Sequence, residues 1–458
     1  MPNFPDSGGA VSPGPVTKMR KIAVASVIGT TVEWYDLFLF ATASALVFNK
    51  IFFPSFDPLV GTMLAFGTFA AAYVARIIGA ALFGHFGDRM GRKSMLLTSL
   101  LTMGAATFAI GLLPDYGTIG IAAPILLLVL RVVQGLALGG EWGGAVLMVV
   151  EHAPKEKRGF YGSLVQIGVP GGTLIANLVF LLVAGVMPEE ALLSWGWRIP
   201  FLVSVLLVAV GLYIRLSLEE TPSFQAVKDA GAKAKIPLFD LLRKYWKQVI
   251  LGALATVSTG TAFNILVAFG LTYGKTELDF HTHTMLLAVL VACVVGLVML
   301  PVFGRLSDKF GRKPVIIGGL LAEIVFAFPL FWLMDTRTVA GLLLGYVLMM
   351  TAFCANYGPI ATFLAELFGP RVRYSGLSVA YMLAGLLGSA ITPVVTTALL
   401  NATGEGSSVA WFLIGSALVS LVALLLLTET LRKNINVVDD DGAKAATSLP
   451  SEAQGVKV

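Results

Sequence analysis

Gly84-His85-Phe86-Gly87-Asp88-Arg89-Met90-Gly91-Arg92-Lys93 and Gly304-Arg305-Leu306-Ser307-Asp308-Lys309-Phe310-Gly311-Arg312-Lys313 are two copies of one pattern, G-x-x-x-D-[RK]-x-G-R-K, 220 residues apart. Each copy closes one long apolar block and opens the next. Two helices must turn back here within a few residues, and Gly91 and Gly311 permit backbone angles that other residues avoid. Asp88 and Asp308 offer carboxylates that can accept from a helix N-terminus or pair with an arginine. One such loop would pass for a basic anchor on an anionic lipid surface, but the matched pair argues for a duplicated unit. A phosphate-binding loop is excluded, since no strand and Gly-rich run lead into a Lys-Ser or Lys-Thr pair. A weaker echo supports the duplication: Glu151 with Arg158, and Glu366 with Arg373, are related by an offset of 215, each pair with a Pro between and a Gly soon after.

The sequence around the repeat is that of a membrane protein. Hydrophobic residues make up 57% of the 458 residues and charged ones 13%, against about 25% charged in a soluble chain. Twelve apolar blocks can cross the bilayer: 22–48, 61–85, 94–113, 119–150, 160–186, 198–216, 248–273, 284–304, 314–334, 339–365, 375–399 and 409–428. They run apolar for about 20 residues instead of alternating over about 10, so the fold is an all-α polytopic bundle and not a β-barrel. The repeat divides it into two six-helix halves, 21–216 and 248–428, joined by a basic cytoplasmic linker 217–247 and flanked by tails 1–20 and 429–458 expected to be disordered. The segment before Lys18 lacks a positively charged start, so no cleaved leader is expected. Cys293 and Cys354 both fall inside apolar blocks, which suggests neither a disulfide scaffold nor a metal site.

The net charge of +5 is explained by topology. Twenty-six Lys and Arg fall in the terminal and loop segments of one side, while the other side holds Lys50, Lys275 and Arg337. This bias places both termini in the cytoplasm of a plasma (inner) membrane protein, and it leaves a nucleic-acid partner without support. Two parallel halves place a substrate between them near the bilayer midplane.

The doubled loop in a chain of two six-span halves resembles the signature of the major facilitator superfamily. Finer matches resemble its metabolite:proton symporter family: Gly29-Thr30-Thr31-Val32-Glu33-Trp34-Tyr35-Asp36, Arg131-Val132-Val133-Gln134-Gly135 with Gly139-Gly140-Glu141-Trp142-Gly143-Gly144, Glu219-Glu220-Thr221-Pro222-Ser223-Phe224, and Arg371-Val372-Arg373-Tyr374-Ser375-Gly376. The likeness covers roughly residues 20–430 and implies proton-driven transport of shikimate, α-ketoglutarate, citrate, or proline and betaine. It also implies gating by the repeated loops (Gly84, Asp88, Arg89, Gly91, Arg92, Gly304, Asp308, Gly311 and Arg312), with Asp88 and Arg92 holding the cytoplasmic side closed. Asp308 is expected to matter less, because its half lacks the proton site.

An ionisable group at mid-bilayer is costly and demands a reason. Glu33 and Asp36, at i and i+3, share a face of the first span and are the candidate proton carriers. Arg131 and Arg76 can grip a carboxylate in a bidentate way. With Gln134, and with Asn264, Asn356 and Tyr357 from the otherwise neutral second half, they form the candidate substrate site. Glu141 and Glu323 are expected to be structural, as are Gly135, Gly139 and Gly143 at spacing four, a close-packed helix face. His85, His281 and His283 lie at edges or in loops and are not expected to carry protons.

These features point to a monomeric symporter of small organic acids, shikimate-like or dicarboxylic, whose partners are its substrate, protons and the bilayer. No cofactor or metal is expected. A zwitterion carrier of the proline/betaine type is the alternative within transport, disfavoured by a tail without heptads. A sensor that has lost turnover would be expected to carry large soluble domains. An enzyme would need a nucleophile–base set or metal ligands, which four scattered His and two Cys do not supply.

Overall fold

The computed structural model describes residues 15–54, 58–216, 220, 241, 243–431 and 433. Among the described residues there are twelve long helices: α1 (Met19–Phe40), α2 (Pro58–Met90), α3 (Arg92–Leu112), α4 (Ala122–His152), α5 (Lys155–Phe180), α6 (Leu192–Leu216), α7 (Trp246–Thr276), α8 (His283–Phe310), α9 (Arg312–Asp335), α10 (Val339–Leu367), α11 (Arg373–Thr403) and α12 (Ser407–Leu426). Eleven of these have the length and apolar content to cross a membrane, and α2 adds 33 residues beside them. The candidate linker 217–247 and both tails lie largely outside the described residues.

Helices α1–α6 pack chiefly on one another, as do α7–α12, and the two bundles meet through α2, α4 and α5 on one side and α8, α10 and α11 on the other. Gly135 and Gly139 bring α4 onto the backbone of α2 at Ala72 and Arg76, whereas Gly143 faces Ser378 of α11 across the bundles. The three glycines therefore serve two interfaces, not the single face expected from their spacing.

The repeated motif is helical almost throughout. Helix α2 runs to Met90 and α3 begins at Arg92, so Gly91 alone makes the turn, with φ 114°; Gly311 does the same between α8 and α9 with φ 107°. Only glycine adopts such angles without strain. As a result, Asp88 and Asp308 stand on the last turn of a helix and not in a loop. Met90 and Phe310, one residue before each turn, are 60% and 59% exposed on the outside of the bundles.

Several helices are locally widened and underwound. Segments with π-type hydrogen bonding occur at Ser44–Phe48 after α1, at Ile265–Phe269 in α7 and at Leu386–Ala390 in α11. Insertions of this kind recur at functional positions in helices. Here the α7 and α11 segments adjoin the inter-bundle cavity.

Candidate functional site

A cavity lies between the bundles. The first bundle lines it with Glu33, Trp34, Leu37 and Phe38 of α1, Tyr73 and Arg76 of α2 and Val169 of α5. The second supplies Thr256, Thr259, Phe263 and Asn264 of α7, Phe353 and Tyr357 of α10, and Tyr381, Met382 and Ser389 of α11. Among these residues Arg76 is the only cation and Glu33 the only carboxylate. A wider groove between α3 and α4, lined by Leu101, Thr102, Ala105, Leu130 and Val133, has no charged group and opens on the lipid-facing side.

The structure divides the sequence candidates. Glu33, Arg76, Asn264 and Tyr357 line the cavity; Asp36, Arg131, Gln134 and Asn356 do not. Arg131 is held inside the first bundle, its guanidinium 3.6 Å over the Phe40 ring. Its Nη1 donates to Gln134 Oε1 at 2.8 Å, Gln134 Nε2 donates to Thr107 Oγ1 at 2.6 Å, and Thr107 donates to Asp36 Oδ2 at 2.7 Å. Asp36 is thus the end of a buried polar chain behind α1. Its Oδ1, like Glu33 Oε2, is buried without a hydrogen-bond partner among the described residues. A buried orphan acceptor of this kind costs several kcal/mol (roughly 2–7) unless it is protonated or met by water.

Glu141 and Glu323 are both fully buried and satisfied. Glu141 pairs with Arg215 and accepts from Ser99, which moves Arg215 from the cytoplasmic loop expected of it to the bundle interior. Glu323 accepts from Ser258 and from Asn356 Nδ2, the latter at 3.1 Å. The offset of 215 that relates Glu151 to Glu366 also relates Glu141 to Asn356, so one site in each bundle carries a polar lock, charged in the first and amide-based in the second.

At the end of the bundles that carries both glycine turns, two matching clamps join them. Asp88 accepts from Tyr374 N (3.3 Å), Ser375 N (3.1 Å) and Ser375 Oγ (2.8 Å) at the start of α11. Asp308 accepts from Gly159 N (2.7 Å) and Phe160 N (2.9 Å) in the first turns of α5. In both cases a carboxylate of one bundle caps a helix N-terminus of the other, where unpaired N–H groups and the helix dipole favour negative charge. Arg373 reaches across to Glu151 at 2.9 Å, and Arg312 bridges Asp308 (2.7 Å) and Glu366 (3.3 Å). Arg92 stands 3.6 Å from Asp88 and 3.8 Å from Glu151. Gly84 and Gly304 make the approach possible, for a Cβ on Gly84 would meet the Ser375 backbone at 2.7 Å and one on Gly304 would strike Ser163. Arg89 follows Asp88 on the last turn of α2.

Sequence reasoning missed one element of the repeat. Glu220 accepts from Arg92 N (3.1 Å) and Lys93 N (3.2 Å), and Glu429 accepts from Arg312 N (3.0 Å) and Lys313 N (2.9 Å). Each bundle thus caps its third helix with a carboxylate from just beyond its sixth. The signal was present as Glu220-Thr221 and Glu429-Thr430 after matching spans, but the offset of 209 differs from those used to find the repeat.

This chain of two six-helix bundles, each with its own acid–glycine–arginine turn, matches the family profile of the Major Facilitator Superfamily over residues 37–393 and 286–452. The chain belongs to the major facilitator superfamily. It is 42% identical over 432 residues to the inner membrane metabolite transport protein YhjE of Escherichia coli K12, covering 92% of this chain and 97% of that one. It is 38% identical to the shikimate transporter of the same organism (91% and 96% covered) and 32% identical to its proline/betaine transporter (96% and 89%). Among solved structures it resembles the proton:xylose symporter XylE bound to 6-bromo-6-deoxy-D-glucose, with a TM-score of 0.78 at 18% identity, covering 92% and 98% of the two chains. The protein is accordingly a superfamily transporter of metabolites, a non-enzymatic membrane protein.

Proposed function

We propose that the protein is a proton-coupled symporter that imports a small hydroxylated monocarboxylic acid across the inner membrane, with both termini in the cytoplasm and its two six-helix halves, 21–216 and 248–428, alternating about the cavity. The observation that carries this reading is the pairing of one cation and one carboxylate, Arg76 and Glu33, on the same wall of the inter-bundle cavity. A substrate carboxylate seated on the Arg76 fork changes the field at Glu33, and that change ties substrate binding to proton binding. The facing wall offers neutral groups, Thr256, Thr259, Asn264 and Ser389, which suit hydroxyls. A second substrate carboxylate would meet no second cation there, so dicarboxylic acids are disfavoured.

The aromatic lining of Trp34, Tyr73, Phe263 and Phe353 supports a second reading, a zwitterion with a quaternary ammonium held by ring faces. Uptake into proteoliposomes separates the two. The expected result is accumulation of shikimate, driven by an inwardly directed proton gradient and abolished by a protonophore. Preference for betaine would favour the second reading, and uptake indifferent to the gradient would remove proton coupling.

A further inference from the structure

Directly beneath the cavity four side chains form a floor that spans both bundles. Trp142 of α4 and Gln166 of α5 come from the first bundle, and Tyr357 of α10 and Tyr381 of α11 from the second. The offset of 215 carries Trp142 to Tyr357 and Gln166 to Tyr381, so the floor is a pseudo-twofold arrangement like the clamps further toward the cytoplasm. Within the first bundle Trp142 Nε1 donates to Gln166 Oε1 at 2.9 Å, and within the second the Tyr357 and Tyr381 hydroxyls are 2.7 Å apart. Contacts also cross between the bundles, among them a hydrogen bond between the Trp142 and Tyr357 side chains. The Trp142 and Tyr381 rings stack with centroids 3.4 Å apart at 10°, and Gln166 Nε2 donates to Tyr357 O at 3.2 Å.

The two copies differ in one respect. Trp142 and Gln166 are completely buried, whereas both tyrosines line the cavity. Glu33 is an electrostatic neighbour of both tyrosines, and Arg76 and Tyr73 are neighbours of Tyr381. Two hydroxyls carry two donor hydrogens and their mutual bond uses one. The second is available to an acceptor in the cavity.

We infer that Trp142 and Gln166 are positioning residues that hold the cytoplasmic floor shut, and that substrate opens it by competing for the Tyr357–Tyr381 hydroxyl pair. This rests on the transport reading above. An acidic or hydroxylated ligand that draws the Tyr381 hydroxyl toward Arg76 tilts the ring off Trp142 and releases the stack. The floor then differs in contacts between the empty and loaded states, which is the requirement for a ligand to shift a two-state equilibrium. The clamps at Asp88 and Asp308 have no cavity-facing member and so cannot sense occupancy by themselves.

The test uses the full chain with Cys293 and Cys354 replaced by Ser and a single reporter, Ala384→Cys, on the cavity wall above the floor. Inside-out vesicles present the cytoplasmic face to a membrane-impermeant maleimide. In the parent, labelling is expected to be slow and to rise severalfold with shikimate. In Gln166→Leu it should be raised about tenfold without ligand, as expected for loss of about 1.4 kcal/mol from the closed state. Trp142→Phe, which keeps a ring but loses the Gln166 bond, should give a smaller rise, and it serves as the measured variant if Gln166→Leu fails to insert. In Tyr381→Phe, shikimate should no longer accelerate labelling. Unchanged labelling in both floor variants overturns the inference, as does a full shikimate response in Tyr381→Phe. If shikimate leaves the parent unchanged while the floor variants still label faster, the floor stands and the acid-substrate reading fails.

Discussion

The ends of the two halves that carry the glycine turns are near copies, whereas their middles are not. At the ends, Asp88 and Asp308, Arg92 and Arg312, Glu151 and Glu366, and Glu220 and Glu429 occupy matching places and accept or donate matching bonds. At cavity depth the first half offers Glu33, Arg76 and the buried Asp36–Thr107–Gln134–Arg131 chain, and the second offers hydroxyls, amides and aromatic rings. Rocking about a fixed site needs equal and opposite contacts on the two sides, and duplication supplies them. Chemistry at the site needs a charge on one wall and not on both. The repeat has therefore been kept where the protein moves and lost where it binds.

Breaking the asymmetric part should have the largest effect. Glu33→Gln should abolish uphill accumulation while exchange at equal concentrations persists, measured as counterflow against gradient-driven uptake in proteoliposomes. Retained accumulation would move the coupling site to Asp36. Arg76→Ala should weaken binding about 100-fold, equivalent to the roughly 3 kcal/mol at the upper end for a hydrogen bond to a charged group, seen as a raised KM or Kd with protein still folded.

Breaking the symmetric part should have an intermediate and balanced effect. Each clamp joins a carboxylate to an opposing helix N-terminus, so Asp88→Asn and Asp308→Asn should each shift the equilibrium toward inward-facing by roughly 10- to 100-fold, from a loss of about 1.5–3 kcal/mol. Cytoplasmic thiol accessibility reports the shift. A much weaker effect at Asp308, as the position of the proton site suggests from sequence, would show that the two clamps open in sequence and not together.

The smallest effects should come from the buried locks behind the cavity. Arg131→Lys removes the fork that meets Gln134 and the stack on Phe40, so it should lower thermal stability, by about 1–2 kcal/mol for a buried charge-assisted bond, yet change substrate KM less than about threefold. Glu323→Gln keeps an acceptor for Ser258 and Asn356 and should leave coupling intact. A change in transport stoichiometry there would give the second half a proton site of its own.

The architecture was legible because membrane spans announce themselves by length and the doubled motif fixes how they are grouped. Glu33 and Arg76 were legible as intramembrane charges, and the structure brings them to one wall. Arg131 was read, with Arg76, as a substrate-gripping cation because sequence gives depth along a helix and not azimuth. Its face of α4 turns toward Phe40 and Gln134, away from the cavity. Arg215 was read as a surface cation because it ends an apolar block, and only packing reveals Glu141 and Ser99 around it. The floor escaped notice for another reason. Tyr357 was singled out only as a substrate-site candidate and Trp142 only as part of a motif, and their relation to Gln166 and Tyr381 appears only when the 215-residue offset is applied to side chains that touch.

Met90 and Phe310 show what the one-residue turns mean for the surrounding lipid. Each is a bulky apolar side chain on the outer surface, next to a glycine that fixes the angle between two helices and one turn or less from the aspartate that closes the clamp. Both turns lie at the ends of membrane-spanning helices, so lateral pressure and bilayer thickness should bear on the two side chains. A thinner or looser bilayer would load both turns at once and in the same sense. Transport rate should then vary with acyl-chain length even at fixed substrate and pH, with the membrane itself setting how readily the cytoplasmic side releases.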